Sequence, residues 1–389
     1  MRQRAEASPR LAQAAKGVIP AKSATPPFVP PYPPSWFDRL ADWIDQLPGP
    51  AWLVYLLLGI AGLLLQTGLQ SLAGVYQPGR FVFLHIWIGV QFAYMLGLMH
   101  YLDRSAQAAL AAFRPVLDLP RRVRSAAVPD NSSLEDLRYR LTTLPRRTTR
   151  WAALAGVILG LALPILFIRP SGGAGASLIG LSSSFGISAS PIGIAALLIQ
   201  FAFAQAVAGT LVYHCIHQLS EINRVYLRFA RLNLYRLQPL YAFSIPAALT
   251  AGGLIIYNYA WFAAAPQLLD QPISLVLSAF FAIVAAATFA WPLLGIHGRL
   301  VAEKKRCLAE NAYRFEAAVS ELHQRVDKKS LSRMDDLNKT LSSLEIEQAA
   351  LHRIPTWPWD PGTLRSVVAA LALPIIIWLI QYVLQKVLG

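Results

Sequence analysis

The chain has 389 residues, 55% of them hydrophobic and 14% charged, with a mean hydropathy of +0.43. Soluble globular chains carry about 25% charged residues, so this composition excludes a disordered chain and argues against a water-soluble multidomain enzyme. The formal net charge of +14 suits either a nucleic-acid binder or a membrane protein with basic loops, and charge placement decides between them.

Residues 1–34 carry scattered Arg and Lys but no apolar core of a signal peptide. They end in a proline-dense run from Thr25 to Pro34, which predicts an extended, disordered cytoplasmic tail of polyproline II character. Ser35 then caps a short amphipathic helix over 35–48, with Trp36, Phe37, Leu40, Ile44 and Leu47 on one face and Asp38, Asp42 and Asp45 away from it. Such a helix lies flat in the membrane interface.

Seven apolar stretches long enough to span follow, at 51–75, 81–99, 151–168, 192–212, 240–265, 273–294 and 367–384. A spanning helix needs about 20 residues, and none of these stretches contains Asp, Glu, Lys or Arg. One charge at mid-bilayer costs about 2.5–3.5 kcal/mol on insertion scales, so their absence is informative. All but three of the 35 Lys and Arg residues (Arg80, Arg169 and Lys386) fall on one side of this pattern. The positive-inside rule therefore predicts an inner (plasma) membrane protein with a cytoplasmic N-terminus and, if the seventh stretch spans, an external C-terminus. Basic loops held inside account for the net charge without nucleic acid, and no groove-reading motif accompanies them.

The fourth span continues past the membrane as a helical pattern reaching about Leu237, with Ile222, Val225, Tyr226, Phe229 and Leu232 on one face. The sixth behaves alike. Phe315, Val319, Leu322 and Val326 form a stripe, a polar bend covers 327–330, and Leu331, Met334, Leu337, Leu341, Leu344 and Leu351 continue beyond it. Two amphipathic helices joined by a tight bend predict an antiparallel hairpin over 303–354. Pro355, Trp357, Pro358, Trp359 and Pro361 end it at headgroup level, where indoles anchor. The fold class expected is an all-α polytopic bundle of six to seven spans with a cytoplasmic helical hairpin. Its six-span part covers 51–302 with cytoplasmic loops 104–150 and 213–239, and a seventh helix lies in 363–389.

No nucleotide loop, nucleophile elbow or zinc-protease motif occurs, so no enzymatic activity and no cofactor are expected. Cys215 and Cys307 form no CxxC pair and predict no disulfide framework. The densest polar group is His214, His217 and Glu221, spaced to share a helical face. Imidazole and carboxylate suit a transition metal, although histidine at a helix end also simply caps its negative dipole. His100 with Asp103 and His297 occupy matching exits of the second and sixth spans, which makes His100, His214, His217 and His297 candidate pH-sensing groups. The intramembrane glutamines Gln200, Gln205 and Gln381, with Gln91, are candidate pore-lining or helix-packing groups. The Gly- and Ser-rich segment 169–193 suits a surface loop or a re-entrant filter.

Seven spans, a cytoplasmic N-terminus, an external C-terminus and a helical base make the chain similar in layout to the insect chemoreceptor channels. The resemblance is one of layout alone, with no family motif matched. It implies a tetrameric pore lined by the last span, here 367–384, with Gln381 its one strongly polar side chain. Three functions follow as expectations: an oligomeric ion channel or channel-like receptor, a membrane sensor or scaffold docking a soluble partner, and a transporter. The partners expected are the lipid bilayer, further copies of the chain and a cytoplasmic protein.

Overall fold

A computed structural model describes residues 28–72, 83–118, 134–167, 191–264, 272–329 and 332–372. Its helices are α1 (Trp36–Asp45), α2 (Ala51–Leu72), α3 (Phe83–Phe113), α4 (Leu134–Thr142), α5 (Arg146–Phe167), α6 (Pro191–Phe229), α7 (Ser244–Ala264), α8 (Pro272–Asp327) and α9 (Met334–Arg353). Residues 361–372 are helical as well. Among the described residues there is no strand, only isolated bridges at Pro34–Pro145 and Leu117–Ala230. The molecule is an all-helical bundle, as its periodicity predicts. Among the described residues four stretches, Ala51–Leu69, Leu198–Phe229, Gln238–Trp261 and Ser278–Asp327, are long and apolar enough to cross a membrane.

The helices pair as α2 with α3, α5 with α6 and α7 with α8, while α3 and α6 touch each other and tie the pairs together. Apolar helices gain little from burying oil against oil in a lipid, so close packing and internal hydrogen bonds must hold them. Two crossings show this. A Cβ added at Gly62 of α2 would lie 2.2 Å from the Gly89 carbonyl of α3, and one at Gly156 of α5 would lie 2.3 Å from the Gln205 carbonyl of α6. Backbones approach that closely only where side chains are missing. Outward faces are apolar instead, with Trp52, Leu56 and Leu64 of α2 and Ile158 and Leu159 of α5 more than half exposed.

The basic helix ends hold a well-packed core. Tyr226 is fully buried, its ring meets Phe113 and Phe243 edge-on, and its hydroxyl donates to the Leu240 carbonyl at 2.6 Å. The sequence pattern carries α6 to about Leu237, but the helix stops at Phe229. There the backbone leaves the helix to pair with the residues just after α3, through Arg231 N to Val116 O (2.8 Å) and Asp118 N to Phe229 O (2.7 Å). Arg299 of α8 donates to the carbonyls of Tyr226 (2.5 Å) and Ala230 (3.0 Å), satisfying the acceptors that a helix end leaves open.

Helix α8 is continuous for 56 residues through Pro292. It folds back at a turn in which Lys329 and Arg333 adopt positive φ (51° and 64°). Helix α9 returns antiparallel: Arg325 donates to Ser332 O, Asn311 to Leu344 O, and Lys304 to the carbonyls of His352 and Ile354. The two helices are therefore paired antiparallel along their length.

Candidate functional site

The polar groups meet where α3 and α6 leave the apolar part of the bundle. One turn of α3 after Met99 presents His100, Asp103 and Arg104 at i, i+3 and i+4, a spacing that puts all three on neighbouring faces. Asp103 Oδ1 lies 2.9 Å from His214 Nε2 and accepts from Gln218 Nε2 at 3.0 Å. His214 and Gln218 stand one turn apart on α6, so a single carboxylate on α3 is held by two consecutive turns of its neighbour. Asp103, His214 and Gln218 are all buried. A buried pair is worth keeping only when its geometry and extra hydrogen bonds offset its desolvation, and cutting one partner costs about 3–5 kcal/mol.

A second layer comes from the N-terminal segment. Ser35 and Asp38 form a reciprocal capping box at the start of α1, and Asp38 Oδ2 also accepts from Leu144 N at 3.0 Å. Asp38 is only 6% exposed, which corrects the expectation that it faces away from the packed stripe of α1. The helix is turned so that Phe37, Asp38 and Ile44 all go inward, and the Phe37 ring meets His214 edge-on at 6.0 Å. Burial pushes the Asp38 carboxyl from 3.8 up to about 6, against hydrogen bonds that favour its ionised form. Its other oxygen, Oδ1, has no hydrogen-bond partner among the described residues, nor have His214 Nδ1 and Gln218 Oε1.

The last residues of the proline-rich segment are packed too. Tyr32 donates from its hydroxyl to Thr143 O at 2.9 Å, and its own carbonyl accepts from Tyr139 at 2.6 Å. Arg146 N donates to Pro33 O at 3.2 Å. Residues 28–34 therefore form part of the folded unit rather than the tail predicted for them; the rest of that tail lies outside the described residues.

The sequence-predicted candidates are brought into one region but not onto one centre. His214 faces Asp103. His217 Nε2 lies 2.9 Å from Arg140 O and 3.5 Å from the Tyr32 hydroxyl. Glu221 pairs with Arg224 one turn on. Among the described residues no group of three His, Cys, Asp or Glu side chains is placed to hold a metal. His100 bridges Tyr55 (2.8 Å) and Asp45 (3.2 Å), and Arg104 also reaches Asp45. His297 sits apart, 3.1 Å from Thr356 O and stacked on Trp357, which stacks in turn on Trp359 and thence on Phe289. Each of these histidines thus locks a different incoming segment to a helix exit. Cys215 and Cys307 are free thiols.

Gln205 packs against Gly160, and Gln200 leaves its Oε1 without a partner among the described residues. Gln91 accepts from the Tyr257 hydroxyl at 3.1 Å. Gln381 and the segment 169–190 lie outside the described residues. Sequence reading missed Asp38, Gln218 and Tyr32 as members of the junction. Only the Ser35-x-x-Asp38 capping signature gave any hint of them.

Beside this junction an apolar cavity of about 1220 Å³ opens between α2, α3, α7 and the helix at 363–370. Trp52, Trp87, Tyr94 and Val367 line its body, and Tyr55, His100 and Arg104 its polar mouth. Compared with family models, curated proteins and solved structures, the chain matches none.

Proposed function

We propose that the chain is an inner-membrane sensor or scaffold whose projecting hairpin docks a soluble cytoplasmic partner. One observation carries this reading: α8 runs without interruption from the apolar bundle into a hairpin whose outer surface is left bare. Tyr313 and Ile346 on that surface are 75% and 71% exposed. The arrangement also offers a route between membrane and hairpin. The helix at 363–370 lines the apolar cavity, and the chain reaches it from α9 through Trp357 and Trp359, which are stacked against α8. An occupant that displaces residues 363–370 acts on the base of the hairpin through that clamp.

In this reading α2, α3, α5, α6, α7 and α8 cross the bilayer, a seventh helix begins near residue 363, and the arginine-rich ends face the cytoplasm. The charge asymmetry of the sequence supports that orientation.

The test is photo-crosslinking in the native host from positions 313 and 346, with the full chain in its membrane. Capture of the same soluble protein from both positions, lost when Trp357→Ala loosens the clamp, supports the proposal. Crosslinks to lipid or to the chain itself alone would overturn it.

An oligomeric channel is the second reading, favoured by polar atoms of Gln66, Gln91 and Gln200 that lack partners within the apolar helices. Such groups cost several kcal/mol in hydrocarbon unless a wet path or another subunit meets them. Conductance of the purified chain in planar bilayers, abolished by Gln200→Leu, would move the assignment to this reading.

A further inference from the structure

A separate feature lies on the other flank of the bundle, at the start of α5. Arg146, Arg147, Arg150 and Trp151, with Pro33 and Leu154, line a cavity of about 560 Å³. The three guanidinium groups are solvent-facing, and among the described residues none of them has a carboxylate partner, unlike Arg104, Arg140, Arg224, Arg306 and Arg325. Three uncompensated cations within five residues repel one another unless an anion sits between them. Their fork-shaped donors match phosphate oxygens in pairs.

What continues from the cavity identifies the rest of the ligand. Trp151 is 63% exposed, and Leu154 and Ile158 follow at i+3 and i+7 with 46% and 57% exposure. One face of α5 therefore changes within about two turns from guanidinium, to indole, to aliphatic. That is the order of a phospholipid read from headgroup through interface to acyl chain. A soluble phosphate compound has no use for the aliphatic part of this stripe. Two of the lining residues are tied to each other, because Arg146 N donates to Pro33 O at 3.2 Å.

We propose that Arg146, Arg147 and Arg150 form a binding site for the phosphate of an anionic phospholipid, with Trp151 at its glycerol level and its acyl chains along Leu154 and Ile158. The site rests on the reading of the chain as membrane-embedded with this end cytoplasmic. It does not depend on what the hairpin docks. By bridging α5 and the segment around Pro33, the lipid would hold the N-terminal segment against the bundle in the same place as Tyr32 does from within.

The experiment uses the purified full chain in neutral detergent, titrated with phosphatidylglycerol or phosphatidylcholine of matched chains and read by native mass spectrometry. Each arginine near a charged surface is worth about fivefold in affinity. The wild type is therefore expected to prefer phosphatidylglycerol by about tenfold or more, and R146Q/R147Q/R150Q to lose that preference. R228Q/R231Q/R236Q, with the same loss of charge on the same end, is expected to keep it. Brominated phosphatidylglycerol is expected to quench wild-type tryptophan fluorescence more than that of Trp151→Phe. Equal retention of the two lipids by the wild type overturns the proposal even if the glutamine variant fails to fold, and so does loss in the control variant. Competition by millimolar inorganic phosphate as strong as by the lipid would make the ligand a free anion and overturn the lipid assignment. Recovery of the chain in a detergent-free soluble fraction would sink the membrane reading itself, a result distinct from membrane-bound protein without lipid preference.

Discussion

The junction at the exits of α3 and α6 and the hairpin of α8 and α9 are both helical and both carry many charges, yet they use polar groups in opposite ways. At the junction Asp38, Asp103, His214 and Gln218 are each at most 8% exposed and bind across segments more than 100 residues apart. On the hairpin most ion pairs stay within one helix, such as Glu321 with Arg325 and Asp335 with Lys339. Asn311 is its one fully buried polar side chain among the described residues, donating to Leu344 O and Glu347. The contrast teaches that charge count says little about stability. Charge that joins distant segments out of water is costly to break, whereas charge along a solvated helix contributes about 0.3–0.5 kcal/mol per pair.

The comparison breaks first, and furthest, at Asp103. Asp103→Ala leaves His214 and Gln218 buried without their acceptor and is expected to cost about 3–5 kcal/mol, seen as a large fall in Tm by fluorescence-detected thermal unfolding in detergent. A change below about 1 kcal/mol would mean that the junction is wet and the pair exchangeable with water.

Asp38 is expected to move stability the other way. With its carboxyl raised to about 6, the folded chain holds a proton that the unfolded chain releases. Stability is therefore fully present below about pH 4 and is lost as pH rises through 6, by an amount on the order of 3 kcal/mol. Asp38→Asn keeps an oxygen for Ser35 N and Leu144 N but carries no charge. The variant is expected to raise Tm at pH 8, to raise it roughly a third as much at pH 4.5, and to leave it nearly unchanged near pH 3; an equal shift at all three values would place the effect in the cap rather than in the ionisation.

Smaller still is the hairpin's buried amide. A polar residue in a helix–helix seam specifies register at some cost in stability. Asn311→Leu is expected to stabilise the hairpin by about 1 kcal/mol while loosening its pairing, measured as slower hydrogen exchange with altered 311–344 crosslinking. Lys339→Ala, which removes a pair exposed by 70% or more on both sides, is expected to leave Tm unmoved.

Much of the bundle is legible in the amino acids because apolar runs and their breaks are local. The helices at 51, 191 and 272 begin within a residue of the apolar stretches read at 51, 192 and 273, whereas the one read at 151 begins five residues earlier, at Arg146. The hairpin too follows from stripes three and four residues apart. Less legible are the places where the chain meets itself. The helical pattern after Phe229 is overridden by backbone pairing with Val116 and by the Arg299 cap, and neither lies near it in sequence. The spacing of His214, His217 and Glu221 suggests one shared centre. Different partners nevertheless claim these side chains, because each turn of α6 faces another neighbour: Asp103 of α3 for His214, the Arg140 carbonyl of α4 and Tyr32 for His217, and Arg224 on its own next turn for Glu221. The site expected there from spacing is thus, in the described structure, a set of clasps.

By itself, then, the order of residues determined the apolar lengths, the segregation of arginine to one end, the capped start at Ser35 and the two-helix return after Asp327, since each depends on neighbours within a turn or two. Tertiary structure alone decided that Asp38 turns inward, that Asp103 selects His214 and Gln218, and that three arginines of α5 share one open cavity. Those outcomes depend on which helix faces are brought together at glycine crossings such as Gly156 with Gly209. No local pattern carries that information.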